Sequence, residues 1–119
     1  MLLIGACGDG GDGGDATGDA DGATGAAVTM RLIAFRPARL DVETGTTVTW
    51  TQEDAGAHTV TSGTVEQGAA AVTERPDGRF DSGELTTGQT FRFTFADPGT
   101  YAYFCSIHPA TMRGEVRTT

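Results

Sequence analysis

In the segment TFRFTFA, residues 90–96, phenylalanine recurs at every second position, so Phe91, Phe93 and Phe95 fall on one side of an extended chain and Thr90, Arg92 and Thr94 on the other. A repeat of two suits a strand with one buried face, because a helix would spread the same rings around its circumference. The segment TTVTWT at 46–51 repeats the pattern with Val48 and Trp50 together, and VTMRLIAF at 28–35 alternates likewise. Between such runs stand ETG, RPDG, TTG and DPGT, each with Gly or Pro where a turn needs it. Short strands, frequent turns and no convincing helical run predict an all-β protein, an antiparallel β-sandwich. Residues 66–79, EQGAAAVTERPDGR, read as one long irregular connection with room for a helical turn.

Length and charge narrow the reading further. A chain of 119 residues, 38% of them hydrophobic, holds one modest core. The net charge of −8 is divided unevenly: Asp9, Asp12, Asp15, Asp19 and Asp21 lie in the first 27 residues, which contain no base. The remainder has 11 acids against 8 arginines and no lysine, so a nucleic-acid partner has no basic footprint to bind. Nothing after residue 7 approaches a membrane span. Residues 8–27, GDGGDGGDATGDADGATGAA, are expected to form a disordered tether, since they bury too little to offset their ordering entropy. Twenty such residues have an r.m.s. span of roughly 25 Å. Ahead of them, LLIGAC at 2–7 resembles the lipobox of bacterial lipoproteins, which implies lipidation at Cys7. With six residues before Cys7 and no basic n-region, residues 1–7 are expected to be the remnant of a signal peptide. The domain proper is then 28–119.

Chemistry concentrates in TYAYFCSIHPATM, residues 100–112. Tyr101, Tyr103 and Cys105 share one strand face, so inward tyrosines aim the Cys105 sulfur at the interior. His108 and Met112 follow on the next loop, and the other histidine of the chain, His58, lies on the loop after the Trp50 strand. Each has an ordinary use on its own: a buried thiol, a satisfied or surface imidazole, a packed thioether. Together, a thiolate, two imidazoles and a weak axial thioether are the ligand set of a type 1 copper site. A Cys7–Cys105 disulfide is the rival use of the sulfurs in an exported protein. It would close a long loop across the tether.

With FRPARLDVETGTTVTWTQEDAGAHTV at 35–60, FDSGEL at 80–85 and FADPGTYAYFCSIHPATMRGEV at 95–116, residues 28–119 resemble the cupredoxins of the plastocyanin, pseudoazurin and amicyanin type. The resemblance implies a Greek-key sandwich of about eight strands, one type 1 copper, and single-electron transfer. It assigns His58, Cys105, His108 and Met112 as ligands. Thr59 stands where these families usually have asparagine, so the tie between the two ligand loops would run from Thr59 to Ser106. Three residues separate His108 from Met112, against two in amicyanin and four in plastocyanin. The His108 edge would emerge among Ala55, Ala57, Pro109 and Ala110 as the electron exit, open to transient contact with redox protein partners. The remaining expectations are a monomer outside the cytoplasm, touching a membrane through Cys7 alone. Copper storage or delivery is the alternative function. A copper enzyme would need further histidines for a second centre, so none is expected.

Overall fold

The computed structural model describes residues 25–119, and the expectations for residues 1–7 and for most of the tether, Cys7 included, lie outside the described residues. Among the described residues nine strands form two sheets: β1 (Gly25–Met30), β2 (Phe35–Arg36), β3 (Arg39–Val42), β4 (Thr47–Gln52), β5 (Thr61–Gln67), β6 (Val72–Asp81), β7 (Thr90–Thr94), β8 (Gly99–Phe104) and β9 (Arg113–Thr118). One sheet has the order β2-β1-β4-β7 and the other β3-β9-β8-β5-β6. The expected sandwich is present, with one correction: two pairings, β1 with β4 and β3 with β9, are parallel. They arise because the chain leaves the first sheet after β2, adds β3 to the second, and returns for β4. The first strand starts at Gly25, ahead of the expected boundary at Val28, because residues 25–27 extend the ladder opposite Thr47–Thr49.

Burial follows the period of two. Along β4, Val48, Trp50 and Gln52 are buried while Thr47, Thr49 and Thr51 are half-buried. Trp50 faces Phe91 across the antiparallel β4–β7 ladder and Val28 across the parallel one. Its indole is ringed by Phe80, Phe91, Phe95 and Tyr103 at centroid separations of 5.4–6.3 Å. Offset and edge-on contacts of this kind each add about 0.5–1.5 kcal/mol beyond area burial. Opposite Tyr103, on the adjoining β9, lies Gly114. A Cβ there would stand 2.6 Å from the Tyr103 ring, so glycine is needed for the ring to lie over the neighbouring strand.

Residues 66–79 are not an irregular connection with a helical turn. They make up most of a β5–β6 hairpin, in which Gln67 pairs with Val72 and Thr64 with Arg75. The sequence reads as irregular because the register breaks: Thr61 faces Asp81 but Gly63 faces Pro76. The extra β6 residues loop out, and the Ser62 hydroxyl accepts the Phe80 N–H at 2.8 Å. That turns Phe80 into the core, where it is 6% exposed. Gly63, at φ 135°, passes against the Arg75 carbonyl with no room for a side chain.

Two buried donors in the aromatic cluster, Trp50 Nε1–H and the Tyr103 hydroxyl, make no hydrogen bond among the described residues. Burial pushes Tyr103 up to about 12; the Trp50 indole N–H acts against that shift without reaching hydrogen-bonding geometry. Between pH 10 and 12 the unfolded chain therefore loses a proton that the folded one keeps, and stability falls as pH rises. The expected loss across that window is about 2–3 kcal/mol. With no lysine in the chain to titrate there, denaturant melts of the copper-free protein should show this loss in the wild type and not in Tyr103→Phe. Equal slopes against pH for the two proteins would refute it.

Candidate metal centre

β4 belongs to one sheet and β5 to the other, so residues 53–60 must cross the end of the sandwich. Gln52, fully buried, shapes that crossing: its Oε1 accepts the Asp54 N–H, and its Nε2 donates to the carbonyls of Gly56 and Leu85. His58 then forms a bridge with Leu85, donating its N–H to the Leu85 carbonyl at 3.1 Å and accepting the Leu85 N–H at 2.7 Å. The imidazole is held at 1% exposure.

Cys105 follows β8 directly, and the β8–β9 ladder continues past it, since its N–H donates to the Met112 carbonyl at 3.0 Å. That bond closes the loop 105–112. Inside it, the His108 N–H donates to the Cys105 carbonyl at 3.1 Å and the Met112 N–H to the His108 carbonyl at 2.9 Å. The thiol and both imidazoles are thereby brought together, all three ligating atoms lying within 4.8 Å of one another. The Cys105 Sγ is 3.8 Å from His58 Nδ1 and 3.9 Å from His108 Nδ1. Metal bonds of about 2.0 Å to nitrogen and 2.3 Å to sulfur, set at trigonal angles, span roughly 3.7 Å. One soft thiolate and two imidazoles at this spacing fit copper. Met112 is fully buried beside Cys105 in the core cluster.

The two ligand loops are tied together through Thr59. Its N–H points at Cys105 Sγ at 3.3 Å, and its Oγ1 accepts the Ser106 N–H at 2.8 Å and lies 3.1 Å from the Ser106 hydroxyl. The Thr59–Ser106 tie thus includes a backbone donor as well as the two hydroxyls.

Residues 22–119 match the copper binding proteins of the plastocyanin/azurin family. The chain belongs to that family. This cupredoxin is 39% identical to halocyanin of Natronomonas pharaonis over 79 residues, which cover 65% of the chain and 42% of halocyanin. To amicyanin of Paracoccus denitrificans it is 33% identical over 97 residues, covering 82% of the chain and 66% of amicyanin. The chain thus spans less than two thirds of the length of each of these two curated relatives. Among solved structures, the purple cupredoxin of Nitrosopumilus maritimus superposes with a TM-score of 0.63 at 29% identity, covering 79% of this chain and 99% of that one.

Two further residues of this cupredoxin shape the centre and were missed from sequence. Gln52 stands in the inward register of β4, where TTVTWTQ puts a polar side chain after Val48 and Trp50. An amide in that register was the available signal. Asp54 lies four residues before His58, and its Oδ2 is 2.8 Å from His58 Nε2. Partial burial works to raise the Asp54 carboxyl, but the N–H groups of Ile33 and Leu32 and the His58 ring outweigh it and hold the group below its ordinary value.

The two imidazoles differ in access. His58 is buried and His108 is half-buried, flanked by half-buried Pro109 and Ala110 and by exposed Ile107. On the crossing loop, Ala57 is half-buried and Ala55 exposed.

Proposed function

We propose that this domain is a blue copper electron carrier, and the observation that carries the reading is the unequal access to a closed site. Cys105 and Met112 are fully buried and His58 is 1% exposed, whereas His108 reaches the surface. An electron can cross through one imidazole edge, while an ion would have to leave past buried ligands. Copper, when bound, supplies a one-electron couple between Cu(I) and Cu(II). The chain's part would be to hold His58, Cys105 and His108 in one arrangement for both states, with Met112 as a weak further donor. The Thr59 N–H directed at the Cys105 sulfur lowers its basicity, and the Thr59–Ser106 bonds keep the two loops in register. Ala55, Ala57, Pro109 and Ala110 form the small-residue rim where a redox partner approaches His108. Contact there is transient, and the domain acts as a monomer outside the cytoplasm, with Cys7 as the lipid anchor. The domain itself carries out no step beyond electron transfer.

The test is to mix the reduced, copper-loaded protein with a small one-electron oxidant in one experiment and with a strong Cu(I) chelator in another. Oxidation should be complete within milliseconds to seconds while copper stays bound for minutes or longer. Copper passing to the chelator as fast as electrons pass to the oxidant would favour storage or delivery instead.

Replacing Met112 should leave the colour and shift the potential. Met112→Leu removes a weak donor that favours Cu(II), so voltammetry should show a higher reduction potential, by about 59 mV for every tenfold that Cu(II) binding falls more than Cu(I) binding. An unchanged potential would show that the Met112 sulfur does not coordinate.

A further inference from the structure

The β1–β2 turn is built against local preference. The Arg31 N–H donates to the Ala34 carbonyl at 3.0 Å, closing a two-residue turn whose central residues, Leu32 and Ile33, have φ of 54° and 56°. Hairpin turns of this hand normally take Asn-Gly, and a β-branched residue there is a conformational outlier. Burial does not compensate, since Leu32 is 71% and Ile33 47% exposed. What the left-handed turn achieves is to aim two consecutive N–H groups at one carboxylate. Leu32 N–H donates to Asp54 Oδ1 at 2.7 Å and Ile33 N–H to Asp54 Oδ2 at 2.8 Å. The same Oδ2 meets His58 Nε2 at 2.8 Å.

An ionised carboxylate can only accept, so His58 must carry its ring proton on Nε2. In the neutral ring the Nδ1 lone pair then lies on the side of Cys105, 3.8 Å from its sulfur. We propose that Asp54 is a positioning residue of the copper centre, anchored by the strained Leu32–Ile33 turn, which fixes His58 as an Nδ1 donor and strengthens its donation to the metal. This rests on the blue copper reading for its effect on the metal, though the tie itself belongs to the copper-free protein. A carboxylate on the outer nitrogen raises ligand basicity, which favours Cu(II) over Cu(I) and lowers the potential.

The near-isosteric Asp54→Asn and the charge-keeping Asp54→Glu separate this from a merely structural role. In the copper-free wild type, NMR should show the His58 Nε2 proton as a slowly exchanging, downfield ring signal. In Asp54→Asn, whose amide offers one accepting oxygen where the carboxylate offered two, that protection should weaken, with the Leu32 and Ile33 amide signals shifted and the rest of the sandwich unchanged. With copper added, Asp54→Asn should bind Cu(II) about 10–100-fold more weakly, and its potential should rise by about 59 mV for each tenfold not matched in Cu(I) binding. Asp54→Glu should recover most of that rise. The proposal is overturned if the ring proton exchanges alike in wild type and Asp54→Asn, or if the Asn and Glu variants share one potential. The ring-proton measurement uses copper-free protein, so it stands or fails independently of the electron-carrier reading.

Discussion

Cys105→Ser should abolish the intense visible absorption of the Cu(II) protein while leaving the copper-free sandwich folded. The blue colour of a type 1 centre is charge transfer from the thiolate to Cu(II), and a serine oxygen is a hard donor without the polarizable sulfur orbitals. The effect is all or nothing at that band. The fold should tolerate the change, because serine is close in size and the Thr59 N–H, now 3.3 Å from the sulfur, stays in place to donate to the new oxygen. Polar substitution at a fully buried position should still cost about 1–2 kcal/mol of stability. Absorption and EPR spectra of copper-loaded wild type and variant, alongside thermal melts of both copper-free proteins, make the comparison. A blue Cys105→Ser protein, or a pale wild type that is folded and fully loaded, would defeat the assignment.

Gln52→Leu should have the largest effect on the fold and also disturb the centre. The Gln52 amide satisfies three backbone groups at once: the Asp54 N–H and the carbonyls of Gly56 and Leu85. Leucine matches its bulk and pairs with none of them. Each buried group left unpaired costs about 1–3 kcal/mol, and water can reach some of the loop, so the expected loss is about 2–4 kcal/mol. Because Gln52 also sets the path that delivers Asp54 and His58, Cu(II) affinity should fall with stability, although Gln52 touches no ligand atom directly. Chemical denaturation and copper titration of the same samples would decide it. A variant within 0.5 kcal/mol of wild type, roughly the scatter of an ordinary surface substitution, would show that the loop holds its shape without the amide.

The architecture was legible in sequence wherever one physical rule governed. Alternation in TTVTWT and TFRFTFA exposed β4 and β7 and named Trp50, Val48 and Phe95 as core, with half-buried Phe91 and Phe93 packed against it, because a strand with one wet face leaves no other place for them. The same rule misled at VTMRLIAF, where one continuous strand was expected. The chain instead turns back at Leu32–Ile33, residues that local preference excludes from such a turn and that Asp54, distant in sequence, holds in place. At 66–79 the break in register scrambled the period, and the hairpin was hidden. The parallel pairings were likewise invisible, since the alternation of a strand does not record the direction of its neighbour.

For the centre the division is similar. The sequence by itself determined the donor chemistry: one cysteine ending an aromatic strand and two histidines are soft and borderline ligands in an order that suits copper. Spacing within 105–112 also implied that Cys105 and His108 meet, because three residues on one tight loop cannot lie far apart. The tertiary structure decided what brings His58 to them across 47 residues, and that is the crossing between sheets shaped by Gln52 and bridged to Leu85. It also decided which nitrogen of His58 faces the sulfur. That choice depends on where a carboxylate sits relative to the imidazole ring, and ring orientation is set by contacts in space that residue order does not encode.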